Sequence, residues 1–386
     1  MRILLIDNDL DTHSDRFLSV LLHSKHQVGY VTAKPRLFSS VSDCLCFSYP
    51  SFPRLEDIRP YGLGKFLRDV FSWVRLRKIS RAFKPDVIHV LLISANAYHC
   101  VIGRTRPLVL TAFGSDINDL FDSKQEDLIL KQRIRRTLQF ADVITADSRE
   151  ILRRCDILAG RKLDTHLFYF GIDLELFQPI SEAVRTQMKT DMGIPRSANV
   201  ILSPRRIIPK MRHDVVLSAF AEFVFRKGKD IYLIFRKYGS YSSEYQKNLV
   251  SLADELGVTN RVIWLEQTDY KYLPALYGMA DVVVNVPEQD GLPIALFEAS
   301  ACKAPVITSR LSSYDEFLRK GAYYEVPVGD SQALLQMMEF ILDGHDKQIA
   351  KSVQENRALT EQVADIRNSQ LAIQDVYTRA LSVYWR

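Results

Sequence analysis

Short apolar runs rich in β-branched residues recur along this chain, and most are followed by a stretch whose apolar positions fall three or four apart. The first period marks strands buried on both faces and the second marks helices laid against them. Strands are predicted at Arg2 to Asp7, Gln27 to Thr32, Asp86 to Leu91, Pro107 to Ala112 and Asp142 to Asp147. A second set is predicted at Asn199 to Ser203, Ile231 to Phe235, Val262 to Leu265, Val282 to Val286 and Val306 to Ser309. Helices are predicted from about Ser14 to Ser24, from Gly64 to Phe83 with apolar positions 66, 67, 70, 71, 74, 79 and 83, and from about Asp365 to Tyr384. Strand, helix and strand in alternation predict an α/β chain of doubly wound parallel sheets. Residues 180 to 198 break the pattern, being polar and weakly periodic, and are read as a linker between two such units.

The densest pattern is Val282 to Ser309: strand, acidic loop, helix, strand. Pro293 suits the first turn of the helix, where a missing N–H costs nothing. Asp290 lies in the loop and Glu298 about five residues into the helix, roughly 8 Å along its axis at 1.5 Å per residue. Two carboxylates so placed can hold the hydroxyls of two sugars, with the N–H groups between them facing a phosphate.

This stretch resembles the donor-site signature of retaining GT-B glycosyltransferases of glycosyltransferase family 4. That signature is two acids eight apart, followed by Ala-x-Ala-x-x-x-Pro-Val-Ile. Here it runs Asp290, Gly291-Leu292-Pro293, then Glu298-Ala299-Ser300-Ala301-Cys302-Lys303-Ala304-Pro305-Val306-Ile307, with Asp in place of the first Glu. Ser203-Pro204-Arg205-Arg206-Ile207-Ile208-Pro209-Lys210 is similar to the family's Arg-x4-Lys pair, with Met211-Arg212 where Gly is common. Phe113-Gly114-Ser115-Asp116 resembles its His-Gly-x-Asp turn, with Phe113 for the His. Phe170-Gly171-Ile172-Asp173 through Phe177-Gln178-Pro179 resembles the segment that closes the first domain.

The resemblance implies two Rossmann-like domains facing across a cleft: residues 1–178, with the closing helix at about 365–386 packing back on them, and 179–364. The first would bind the acceptor and the second the nucleotide sugar. It implies Arg205 and Lys210 on the donor diphosphate, Asp290 on the transferred sugar, Glu298 on the ribose, and Gly291, Leu292, Pro293 and Ile294 at the phosphate. Arg206 and Arg212 stand as substitutes for the cations. Gly114, Ser115, Asp116 and His13 would line the acceptor side, although the loop Asn8 to His13 has none of the glycines common in relatives. The reaction implied is transfer of a hexosyl or other glycosyl group with retention of configuration, to a glycan or a lipid-linked precursor of a cell-surface polysaccharide. Two other readings stay open: an isomerase of the same fold acting on the nucleotide sugar, and a partner that binds the donor without transfer.

Charge and composition refine this picture. Of the 386 residues, 47% are hydrophobic and 25% charged, ordinary for a globular chain with two cores. Residues 1 to 178 hold 26 Lys and Arg against 21 Asp and Glu, and the remainder 25 against 25, so the net +5 lies in the first half. Its basic helix 64–83 is a candidate for peripheral contact with an anionic membrane. A second basic group, from Lys131 to Arg154, is read as solvated helix faces, with no nucleic-acid motif. Five scattered cysteines call for no disulfide framework, and no metal is expected. No cofactor is expected, the nucleotide sugar, UDP- or GDP-linked, being the substrate. A short apolar stretch at Met1 to Leu10 and the absence of an 18-residue apolar run give the expectation of a cytoplasmic protein, at the inner face of the membrane where it meets one.

Overall fold

The computed structural model describes the chain except residues 8–16, 19, 23, 25, 33–44, 49–60, 94, 123–127, 229, 240, 293, 316–321 and 386, and the side chains of 48, 61–69, 95, 96, 115, 119, 121 and 122. His13, Pro293, the start of the helix expected at Ser14 and the side chain of Ser115 therefore lie outside the described residues. The chain divides into Met1–Gly171 with Ile366–Arg386, and Ile172–Asp365.

In the first unit, the described strands are β1 (Arg2–Ile6), β2 (Gln27–Thr32), β3 (Leu45–Ser48), β4 (Val87–Leu91), β5 (Leu108–Ala112), β6 (Val143–Ala146) and β7 (Thr165–Leu167). They pair in parallel in the order β3-β2-β1-β4-β5-β6-β7. Strands β4, β5 and β6 are buried along their whole length, which is why their sequences are mostly apolar rather than alternating, with the buried His89, Thr111 and Thr145 as the polar exceptions. The helices are α1 (Tyr61–Phe83), α2 (Ala95–Gly103), α3 (Ser115–Asp122), α4 (Leu128–Phe140) and α5 (Arg149–Ala159). Among the described side chains of α1 the buried apolar stripe is Leu76, Ile79 and Phe83, whereas Phe71 and Val74, counted above with its apolar face, are exposed. Spacings of three and four from Leu76 define the face that meets the sheet; the helix has more apolar residues than that face can take. The closing helix, Ile366–Tyr384, packs on β4, β5 and β6. There the Tyr377 hydroxyl lies 2.9 Å from Nδ1 of the buried His89, whose Nε2 is 2.7 Å from Oγ1 of Thr111.

The second unit repeats the plan with β8 (Asn199–Ser203), β9 (Ile231–Arg236), β10 (Val262–Leu265), β11 (Val282–Asn285), β12 (Val306–Ser309) and β13 (Tyr324–Val326). These are parallel in the order β10-β9-β8-β11-β12-β13. The stretch read as a linker contains a helix, α6 (Glu182–Asp191). Ser181 caps it by accepting from the Val184 N–H, and the nearly buried Lys189 ammonium donates to the carbonyls of Arg196 and Ala198. Arg185 pairs with Asp281, so the polar residues that suggested a linker instead anchor a helix. Residues 172–178, grouped above with the first domain, make contacts in this unit. The Ile172 N–H donates to Ala364 O, and Phe177 packs on Tyr270 and Tyr277. The other helices are α7 (His213–Lys227), α8 (Ser243–Glu255), α9 (Leu273–Met279), α10 (Ile294–Ala301), α11 (Ser331–Leu342) and α12 (Asp346–Val363).

Candidate donor site

Strands β8 and β11 are neighbours, yet the sheet continues from them in opposite directions, through β9 on one side and β12 on the other. Connections leaving such a pair diverge and open a crevice at the carboxyl ends of the strands, where ligands bind in doubly wound sheets. The two segments that leave this point carry Arg205 and Asp290.

The segment after β8 is held by His213, the first residue of α7. Its Nε2 lies 2.9 Å from the Arg206 carbonyl, which can only accept, so that nitrogen carries the proton and Nδ1 accepts from the Ser203 hydroxyl at 3.1 Å. Burial pushes the imidazole down to about 4, and it stays neutral at pH 7. Between these anchors the chain makes a short 3-10 turn, Pro209–Met211, and Arg212 takes the left-handed conformation at φ 51°. The segment after β11 is fastened to it where the Glu288 N–H donates to the Lys210 carbonyl at 2.8 Å.

Here Arg205 and Asp290 meet in a two-pronged pair, Nη1 to Oδ2 at 2.7 Å and Nη2 to Oδ1 at 2.8 Å. Only 17% and 11% of the two side chains is exposed. The fully buried Tyr314 donates its hydroxyl to Oδ2 of Asp290 at 2.5 Å and accepts from the Asn285 amide at 3.3 Å. Burial opposes the charge on Arg205, but Asp290 beside it more than offsets this, and the guanidinium is held above its ordinary value. Tyr314 is driven well up by burial and by Asp290, which keeps its proton in place as a donor. Arg205 has five N–H groups and uses two here, so pairing with Asp290 leaves donors for an anion.

Lys210 is exposed, and among the described residues its ammonium has no partner. It lines a pocket of about 500 Å³ with Pro209, Arg212, Asp214, Tyr245, Glu288 and Gln289. Arg212 donates to Asp214 at 3.0 Å, and Tyr245 donates to the same carboxylate at 2.8 Å. Arg212, a substitute cation from sequence, is therefore neutralised. Arg206 is partly buried, with its carbonyl taken by His213.

The acidic pair is less alike than its spacing suggests. Glu298 is 1% exposed and accepts from the Tyr277 hydroxyl at 2.8 Å, tying α10 to α9. At the start of α10, Leu292 and Ile294 are buried, and the Ile294 N–H donates to the Leu292 carbonyl, so it is engaged within the chain. At the edge beside the Arg205 and Asp290 pair, the buried atoms Asn285 Oδ1, Thr308 Oγ1 and Ser309 Oγ have no partner among the described residues. Polar groups buried without partners are costly in a merely structural role.

In the first unit Gly114 adopts φ 101°, a conformation that only glycine takes without strain. Asp116 accepts the N–H groups of Ile93, Phe113 and Gly114 at 2.8, 3.1 and 2.9 Å, fastening the exits of β4 and β5 to each other. Burial nonetheless raises its carboxyl to about 6.

Tyr314, Tyr277 and His213 were not among the residues singled out from sequence. Tyr314 is 24 residues from the acid that it holds and carries no local pattern. Asn285 had a signal, a polar residue ending the apolar run Val282–Val284.

Known proteins bear on this geometry. The family described as Glycosyl transferases group 1 matches residues 184–358, and that described as Glycosyl transferase 4-like matches 2–148. The chain is 25% identical over 263 residues to N-acetyl-alpha-D-glucosaminyl L-malate synthase of Bacillus anthracis, a stretch covering 67% of this chain and 65% of the relative. It is 29% identical over 202 residues to a GDP-mannose-dependent alpha-(1-6)-phosphatidylinositol monomannoside mannosyltransferase of Mycolicibacterium smegmatis, half of each chain. The matched part thus spans under two thirds of these relatives. In structure, Anabaena HepE, solved with UDP and glucose, superposes with a TM-score of 0.78 at 17% identity, covering 98% of this chain and 99% of that one. Sucrose-phosphate synthase from Thermosynechococcus elongatus gives 0.78 at 17%, over 99% of both.

Proposed function

We propose that this chain, which belongs to the GT-B glycosyltransferases of family 4, transfers a sugar from a nucleotide sugar to an acceptor hydroxyl, using its second unit to hold the donor. The observation that carries this reading is the Arg205 and Asp290 pair at the β8/β11 switch point, with the exposed Lys210 on the same segment after β8. As the bond between the anomeric carbon and the diphosphate breaks, negative charge grows on the leaving oxygen. Lys210 supplies a point charge for it, and Arg205, whose charge Asp290 balances, offers the N–H groups of its planar fork that the pair leaves unused. Asp290, held by that fork and by Tyr314, stands where it can receive hydroxyls of the sugar. The diphosphate and the sugar would then lie on the two partners of one ion pair, with the scissile bond above it.

A front-face displacement fits such a site. The acceptor oxygen forms the new bond to the anomeric carbon on the face that the diphosphate leaves, and its proton passes to the departing phosphate oxygen. Configuration is retained and no residue serves as a covalent nucleophile. With two cations in place we read the transfer as independent of metal. A UDP-linked donor is favoured, because HepE is solved with UDP and with UDP-glucose; the mannosyltransferase relative makes GDP the next to try. One relative is named for a glucosaminyl malate and the other for mannosyl transfer with phosphatidylinositol monomannoside, and a glycan or lipid-linked hydroxyl is the acceptor class that we assign.

The test is calorimetric titration of wild type and Lys210→Ala with UDP-, GDP- and ADP-sugars in EDTA, followed by transfer assays with the donor that binds. Lys210 is exposed, so its removal leaves the fold intact. Binding by wild type, with turnover depressed at least tenfold in the variant, is the expected result. Turnover of donor without acceptor would instead indicate the isomerase, and binding without turnover the non-catalytic partner.

A further inference from the structure

Strand β9 ends in a buried cation to which the reaction above gives no part. Arg236, its last residue, is only 6% exposed. The guanidinium stands over the Tyr238 ring at 4.1 Å, and among the described residues it has no ion pair and its buried Nε has no hydrogen-bond partner. Its partner in register is Leu265; Glu266, the next residue, is taken by Lys237 instead. Phe235 belongs to the core, so Arg236, one position on, faces the other side of the sheet. Leu202 pairs with Ile234 and with Val283, and Asn285 with Thr308. Arg236, Asn285 and Thr308 therefore share one face at the carboxyl edge, each with a buried polar atom that lacks a partner among the described residues. The turn after β9 lies against the segment after β8: a Cβ on Gly239 would stand 3.5 Å from Cδ of Arg206, and the Tyr238 phenol is close enough to act on the charge of Arg205.

An arginine buried for structure alone is tied to a carboxylate or to carbonyls, because a guanidinium taken out of water unpaired loses its hydration without replacement. The Tyr238 ring offsets part of that loss through its face, but it leaves the in-plane N–H groups without acceptors. What satisfies them is an anion with several oxygens, to which the planar fork is suited. This inference rests on the donor reading above, in which Asp290 after β11 faces the sugar and Arg205 after β8 the diphosphate. Strand β9 is the next along, on the side of β8 away from β11. We propose that Arg236 binds the phosphoryl group nearer the nucleoside, so that the donor lies across the strand ends with its sugar over β11 and its nucleoside toward β10. Tyr238 is a positioning residue, holding the plane of the guanidinium. The contact also supplies charge: Asp290 balances Arg205, Asp214 balances Arg212 and Glu266 balances Lys237, whereas no carboxylate among the described residues cancels Arg236.

The test compares wild type, Arg236→Met and Arg236→Lys in the full chain. Each is melted without ligand and titrated calorimetrically with UDP, GDP and ADP, and then with the monophosphate and the nucleoside of the diphosphate that binds, read by competition against it. Methionine fills a similar volume without charge, so Arg236→Met should raise the ligand-free Tm by about 2 °C or more. The same change should weaken the diphosphate and the monophosphate roughly tenfold or more, and leave the nucleoside unchanged. Arg236→Lys, which keeps the charge and loses the fork, should fall between. A lower ligand-free Tm with unchanged affinities would mark Arg236 as structural and overturn the proposal. So would a loss confined to the diphosphate, or an equal loss for the nucleoside. If wild type binds none of the diphosphates, the donor reading itself fails; if wild type binds one and Arg236→Met binds it equally well, this inference fails alone.

Discussion

Tyr314 shows at a single residue how the candidate donor site is set. Its hydroxyl bridges Asn285 and Asp290, and removing it leaves a buried amide without an acceptor while Asp290 keeps its grip on Arg205. Tyr314→Phe should cost about 1 kcal/mol, a fall in Tm of about 2–4 °C for a unit of this size, and should reduce kcat more than it raises the donor KM. Melting curves and steady-state kinetics check the two parts separately. The buried histidines give a second prediction. Burial lowers His89 to about 3 and His213 to about 4, below the ordinary 6.5. Unfolded chains therefore take up protons first as the pH falls, so the stability from these rings is whole above 6.5 and declines toward 4 and then 3. Asp116, raised to about 6, acts in the opposite sense, its contribution being lost as the pH rises from 3.8 through 6. Melting measured from pH 4.5 to 7.5 should fall toward acid less steeply in His213→Gln than in wild type, and more steeply in Asp116→Asn; parallel curves would mean that these groups titrate alike folded and unfolded. Sequence singled out Arg205, Lys210 and Asp290 as candidates because their spacings are local. It could not show Tyr314, or that Glu298 is buried on Tyr277, because those relations are made by packing across the sheet.

At the level of elements, strands were legible because burial writes most of them as short apolar runs, and β2, β8 and β12 fall where the runs predict them, as does the half-buried edge strand β10. Helix α6 was obscured because its stability comes from polar contacts: a serine cap, Lys189 on two carbonyls and Arg185 on Asp281. The signal was present in Ser181 followed by Glu182, an N-cap with an acid in the first turn. Ser181→Ala should cost roughly 1 kcal/mol and lower the Tm, while Ser181→Asp should retain stability, as differential scanning calorimetry would read. Helix α1 teaches the converse. Its apolar residues exceed what its buried stripe can hold, so a count of apolar positions located the helix and misplaced its face.

At the scale of the whole molecule, the chain passes from one unit to the other at 171/172 and returns at 365/366. A Cβ built on Gly171 would stand 2.4 Å from the Cα of Ile366, while Ile172 and Asp365 form a β-bridge on the other side of the same crossing. Gly171→Ala should therefore lower the Tm sharply or prevent folding, since the clash is with backbone rather than with a flexible side chain. Residues 172–365 alone, produced as a separate polypeptide, should melt cooperatively and bind the donor that the full chain binds; failure to fold would show that the second unit depends on the first. Seen in this way, the second unit is an insertion, begun and ended at one point of its host. An insertion whose ends touch can be exchanged as a cassette: grafting the corresponding span of another family member between Gly171 and Ile366 would pair this chain's first unit with a foreign second unit, without a new linker. The same adjacency would let recombination at two neighbouring points in space reassort whole units, so that on the function proposed above each half could acquire its specificity independently.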